Sequence, residues 1–175
     1  MSKAESATVL IGWLQFGAII GAAVIAAIVA AWGVFSQRAI ARRTLTLNHM
    51  SQIDSDRDYI NARKLFIKEA GRRGGLSRWA APGKEYSKEC QAIRLVLNEF
   101  ELISIGIQFG VIDYEFYRRY YKGTVIKYWY AAAPFVYSVR HQIGSKAVYH
   151  EFEEMYRWFE DDRLPKRKIG FRTIF

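Results

Sequence analysis

The sequence predicts an all-α protein: one N-terminal transmembrane helix followed by a cytoplasmic helical bundle of about four helices. Three observations carry that prediction. Residues 7–35 contain no charged side chain. The rest of the chain repeats its apolar residues at helical spacing, and only three prolines and 13 glycines punctuate 175 residues, too few for a disordered or low-complexity chain. The organisation that follows is a short extracytoplasmic N-terminus (1–6), a transmembrane helix (7–36), a helical domain (37–165) and a basic-apolar tail (166–175).

About 20 apolar residues cross ~30 Å of hydrocarbon, so the first segment spans with room to tilt. Trp13 and Trp32 lie 19 positions apart (32 minus 13). At ~1.5 Å per residue that is ~28 Å, the spacing of the two aromatic belts of a bilayer. A cleaved signal peptide would have an apolar core of only ~7–15 residues after a positive start. Arg38, Arg42 and Arg43 follow the run, whereas Lys3 precedes it with Glu5. Positive residues stay inside, which predicts a single-pass inner-membrane protein with its N-terminus out and its domain in the cytoplasm.

Gly17 and Gly21 form a GxxxG pair, and Ala18, Ala22, Ala26 and Ala30 recur at every fourth position. Small residues in that register let helices approach closely in lipid, so this stripe is the predicted interface of a homo-oligomer. Formal net charge is +9, and Lys3 and Glu5 cancel, so the excess belongs to the part after the span. A basic domain tethered to a bilayer faces anionic lipid headgroups first and nucleic acid second. With Cys90 as the only cysteine, no intramolecular disulfide or multi-cysteine zinc site can form. His49, His141 and His150 are widely separated, and no cofactor is predicted.

Residues 37–70 contain neither Pro nor Gly, which predicts one helix continuing from the span and closed by a left-handed Gly71. Residues 72–83 then read as a loop in which Arg72, Arg73 and Arg78 accompany Trp79, a candidate contact for phosphate or headgroups. It lacks the lysine and hydroxyl of a nucleotide-binding loop. A helix over 84–109 is apolar on most sides of its second half and therefore central in its domain. One stripe interrupts it: Arg94, Asn98, Glu101, Ser104 and Gln108 fall within ~120° of one another at ~100° per residue. That stripe is either a solvent-facing strip or a buried polar network.

Asp113 caps the next helix, predicted over 114–131, where tyrosines alternate with Arg118, Arg119 and Lys122. Such a surface can stack bases, meet a membrane interface, or be a tyrosine-rich core face with cations reaching outward. Pro134 is expected to open a separate short helix, and Ser145 to cap a last one running to about Asp162 with Phe152, Met155, Tyr156 and Phe159 inward. His150 and Glu154 stand at i, i+4, but a zinc protease would need a histidine where Glu154 sits. In the tail, Lys166, Arg167, Lys168 and Phe171 mix cations with apolar side chains, which suits a second lipid contact.

Residues 97–107, Leu-Asn-Glu-Phe-Glu-Leu-Ile-Ser-Ile-Gly-Ile, followed by Gly110-Val111-Ile112-Asp113, resemble a family of small bacterial and phage membrane-anchored proteins catalogued only as a domain of unknown function. The resemblance implies an anchor plus a helical domain and transfers no catalytic residue. Together these readings predict a non-enzymatic module that self-associates and docks an unidentified cytoplasmic or membrane partner, in bacterial or phage host defence or exclusion. A membrane-tethered nucleic-acid-binding protein and a small oligomeric channel are the alternatives.

Overall fold

The computed structural model describes the backbone of residues 3–165, and side chains from Trp13 onward apart from Leu14. Among the described residues the protein is all-helical, with five α-helices: α1 (Lys3–Ser55), α2 (Arg57–Ala70), α3 (Lys88–Gln108), α4 (Tyr114–Ile143) and α5 (His150–Glu160). A 3-10 turn, Ser77–Ala80, lies between α2 and α3. The chain divides into two compact units, Met1–Ala41 and Arg42–Phe175.

In the first unit, α1 is long and apolar enough to cross a membrane, and its apolar window is exposed throughout. In the second unit, α3 packs on α2 and α5, and α4 packs on α5 and the 3-10 turn. The central place expected for the third helix follows from its composition: Ile93, Val96 and Leu97 are fully buried, and Phe100, Ile103 and Ile107 nearly so. Aromatic side chains then tie four helices together. Phe66 of α2 stacks on Tyr128 of α4 at 4.9 Å, Phe100 of α3 meets Tyr128 at 5.7 Å, and Phe100 stacks on Phe152 of α5 at 4.7 Å. Trp129 of α4 closes the series against Phe152 at 5.3 Å. Offset and edge-on ring pairs contribute ~0.5–1.5 kcal/mol each beyond area burial, so this chain of rings is a main stabiliser.

Several helix boundaries differ from the sequence expectation, each for a local reason. The helix expected to run unbroken through residues 37–70 is interrupted at Asp56, whose extended backbone (ψ 112°) and carboxylate, accepting from the N–H groups of Asp58 and Tyr59, start α2 afresh. Gly71 ends α2 in right-handed geometry (φ −79°), and the left-handed turn falls to Gly74 and Gly75. α3 starts at the Ser87 cap rather than near 84, with the Ser87 hydroxyl accepting from the Cys90 N–H. Pro134 opens nothing: α4 runs through it to Ile143. An interior proline costs a helix ~3 kcal/mol. Burial of Ala132, Phe135 and Val136, all 0% exposed, outweighs that cost and keeps the segment helical.

Gly106 sits inside α3 rather than ending it. A Cβ there would lie 2.7 Å from Cγ1 of Ile112, so the residue lets the following loop fold back onto the helix. Gly110, at φ +69°, makes the left-handed turn that sends the chain back, and the N–H groups of Val111 and Ile112 both donate to the Gly106 carbonyl.

Candidate functional site

The small-residue stripe lies in the first unit, on α1. Gly17, Gly21, Ala18, Ala22, Ala26 and Ala30 are all exposed, and a Cβ added at either glycine would meet nothing within 4 Å. Trp13 and Trp32 are both 70% exposed. This face is therefore free for lipid or another helix.

In the second unit the polar stripe of α3 divides. Glu101, Ser104 and Gln108 converge on the start of α5: the Glu101 carboxylate accepts the N–H of Phe152 at 2.7 Å, the Ser104 hydroxyl donates to the Glu151 carbonyl at 2.6 Å, and the Gln108 amide donates to the Glu151 carboxylate. The N-cap residue of α5, Tyr149, is in left-handed backbone geometry (φ 54°) and its side chain makes no cap hydrogen bond. The Ser145 hydroxyl, expected to cap this helix, accepts instead from Ala147 N–H in the preceding turn. The Phe152 N–H, one of the orphan N-terminal donors of α5, is thus satisfied from α3, while the His150 and Glu153 N–H groups donate to the Ala147 and Tyr149 carbonyls. Burial raises the Glu101 pKa against the lowering effect of those backbone donors. Asn98 is exposed and Arg94 half-buried, and neither joins this network.

The basic residues expected on a phosphate-seeking surface face carboxylates. Glu69, 1% exposed, receives Arg72 at 2.9 Å, Arg78, and the Trp79 indole N–H at 3.1 Å. Arg78 and Lys84 also flank the Trp79 ring, at 5.2 and 5.1 Å from its centroid. The loop is therefore folded around a buried acid, while Arg73 remains exposed. On α4, Arg118 and Lys122 share Asp162, and Arg119 meets Glu115 at 2.8 Å. Of the tyrosines on that helix, Tyr117 and Tyr128 are buried in the core and Tyr120 is 66% exposed. Farther along, Glu154 pairs with Arg157 at 3.0 Å and His150 is exposed. Lys166, Arg167, Lys168 and Phe171 lie outside the described residues.

Two features have no counterpart in the sequence pattern. His49 Nε2 and Glu99 Oε1 stand 2.7 Å apart beside a cavity of ≈ 20 Å³, which has room for one water. Arg63 donates to the Tyr128 hydroxyl at 3.0 Å on the same wall, and burial pushes the Tyr121 phenol up to about 12. The second feature is a larger cavity of ≈ 490 Å³ lined by Arg42, Ile112, Asp113, Glu115, Leu164 and Pro165, among others. The partners in both lie tens of residues apart in sequence, so no local pattern announces them.

Among known proteins, no curated protein and no solved structure matches this chain significantly. A family model described as "Domain of unknown function (DUF4760)" matches residues 20–158, from inside the apolar run of α1 to the last turn of α5. That match covers most of the chain, including α3, its polar network and the helices packed around them. The chain belongs to the DUF4760 family.

Proposed function

We propose that this chain is a non-enzymatic, membrane-anchored helical module of a bacterial or phage membrane, which self-associates through its span and docks a cytoplasmic or membrane partner with its helical domain. One observation carries the reading: the apolar run of α1 is exposed at every residue from Gln15 to Trp32, with Ile19 at 68% and Ile25 at 64%, and Phe35 beyond it is 68% exposed. Soluble monomers rarely expose contiguous apolar patches above a few hundred Å². A bilayer removes that surface from water at ~25 cal/mol per Å². Trp13 and Trp32 then occupy the two headgroup belts, and Arg38, Arg42 and Arg43 favour a cytoplasmic domain.

Within lipid the hydrophobic effect no longer drives helix pairing, so close packing must. The open face at Gly17 and Gly21 supports a homo-oligomer on that ground. Host defence or exclusion is the role we attach to the setting, and anionic headgroups are the first ligand of the basic domain. A small channel has less behind it, because glycine and alanine line no polar pore. Nucleic-acid tethering is likewise weakened by the carboxylates that face Arg72, Arg78, Arg118, Arg119 and Lys122.

Native mass spectrometry of the full chain in nanodiscs, beside Gly17→Leu/Gly21→Leu, tests the assembly. A discrete oligomer lost in the double variant supports it, and a monomer in both sinks it. Extraction from membranes by alkaline carbonate is a separate test of the anchor, which must resist it.

A further inference from the structure

Resting on the membrane-anchored reading, we propose that the loop between α3 and α4 is a second, shallow membrane contact: Phe109 and Val111 seat in the interfacial layer of a phospholipid bilayer, with a lipid phosphate at Arg42. The loop exposes apolar side chains where polar ones are the norm, with Phe109 at 55% and Val111 at 49%. Leu164, at 80%, lines the adjoining cavity of ≈ 490 Å³, a volume within the usual ligand-site range.

Charge selects the occupant. A Cβ at Gly110 would lie 4.0 Å from Arg42 Nη1, so the guanidinium stands against the loop. Its Nε is buried without a hydrogen-bond partner among the described residues. Asp113 and Glu115 also line the cavity, but both are engaged. Asp113 accepts the Phe116 N–H at 3.0 Å and faces Arg43 at 3.7 Å, and Glu115 faces Arg119. Arg42 is thus the lining cation left for an anion. A phosphate, which takes guanidinium donors in pairs, matches it.

Reach selects the bilayer. Arg42 lies seven positions after Phe35 (42 minus 35), so its backbone stays within ~25 Å of the end of the apolar run however the chain bends. Arg42 itself stands beside the loop that exposes Phe109 and Val111. Cations beside exposed apolar side chains are the composition of an interfacial contact.

Spin labels on the full chain in nanodiscs of phosphatidylcholine and phosphatidylglycerol test this. Cys90 is 1% exposed, so the wild type serves as the unlabelled blank. Val111→Cys and Phe109→Cys report on the loop. Tyr86→Cys, at a residue 88% exposed before the far end of α3, reports on solvent. The ratio of collisions with oxygen to collisions with a water-soluble nickel chelate should be several-fold higher at 109 and 111 than at 86. Arg42→Gln should lower the ratio at 111 toward the value at 86. Equal ratios at 111 and 86 overturn the proposal. So does a label at 111 shielded from both reagents and dipolar-broadened by a neighbouring label, which would mean a second copy. Failure of the chain to enter nanodiscs strikes the anchor reading itself and is recognised before any label is read.

Discussion

The Glu101 carboxylate and the Phe152 backbone N–H meet at 2.7 Å, so one helix is capped by a side chain from the middle of another. A cap given in trans couples the start of α5 to the register of α3. Glu101→Ala should cost about 1 kcal/mol, as losing a cap usually does. Hydrogen exchange should quicken first at residues 152–155.

The same carboxylate makes stability depend on pH. Burial raises its folded pKa above the unfolded value, so the folded state holds the proton longer. Its stabilising contribution is complete below the unfolded pKa and is lost as pH rises through the folded one. Wild type should therefore gain stability relative to Glu101→Gln on acidification toward the ordinary carboxylate range. Paired thermal melts from about pH 7 to about pH 4 would show a flat difference if the idea is wrong.

Glu69 holds the arginine-rich loop. Removing it leaves Arg72 and Arg78 able to turn to water, since their side chains are 49% and 29% exposed. The loss should be about 1–3 kcal/mol rather than that of a stranded buried charge. Glu69→Ala should open residues 72–78 to trypsin well before the rest of the domain. Cleavage at the wild-type rate would mean that Trp79 and its neighbours hold the loop alone.

Arg140 and Glu153 form a largely buried ion pair, 2.6 Å apart with side chains 12% and 11% exposed. Arg140 also donates to the Val148 carbonyl at 2.8 Å, which ties the turn before α5 to α4. Arg140→Ala leaves a largely buried carboxylate with only Arg157 beside it, at 2.7 Å. The expected loss is about 3 kcal/mol by chemical denaturation.

At Gly106 the constraint is space. Gly106→Ala drives a methyl group into Ile112 and should cost about 1–3 kcal/mol despite the better helix propensity of alanine. Ile112→Ala in the same chain should recover part of that loss. A neutral Gly106→Ala in thermal melts would show that the loop yields freely.

Elements with a repeating pattern are legible from the chain alone. The exposed apolar run of α1 and the buried face of α3 follow directly from where apolar residues recur. The inward face of α5 is largely legible too: Phe152, Met155 and Phe159 are 0% exposed, while Trp158, outside the expected set, joins them at 6%. Boundaries set by tertiary contact are not legible. Pro134 reads as a break until the burial of Phe135 and Val136 is known. Ser145 reads as the cap of α5 because the acceptor that replaces it, Glu101, is 51 positions from Phe152. The basic stripe misleads in a similar way. Arg72 and Arg78 look available in sequence because Glu69 belongs to the preceding helix and gives no sign there of being buried.

The elbow at Asp56 sets a rule for how relatives of this chain can differ. Only one residue separates α1 from α2, and its carboxylate occupies both N–H groups at the turn. Adding or deleting a residue there would swing the face bearing Tyr59, Ala62 and Phe66 by about 100° and take it out of the core. Length should therefore be invariant across residues 50–66, however much side chains drift, and gaps should collect in 71–87 and 144–149.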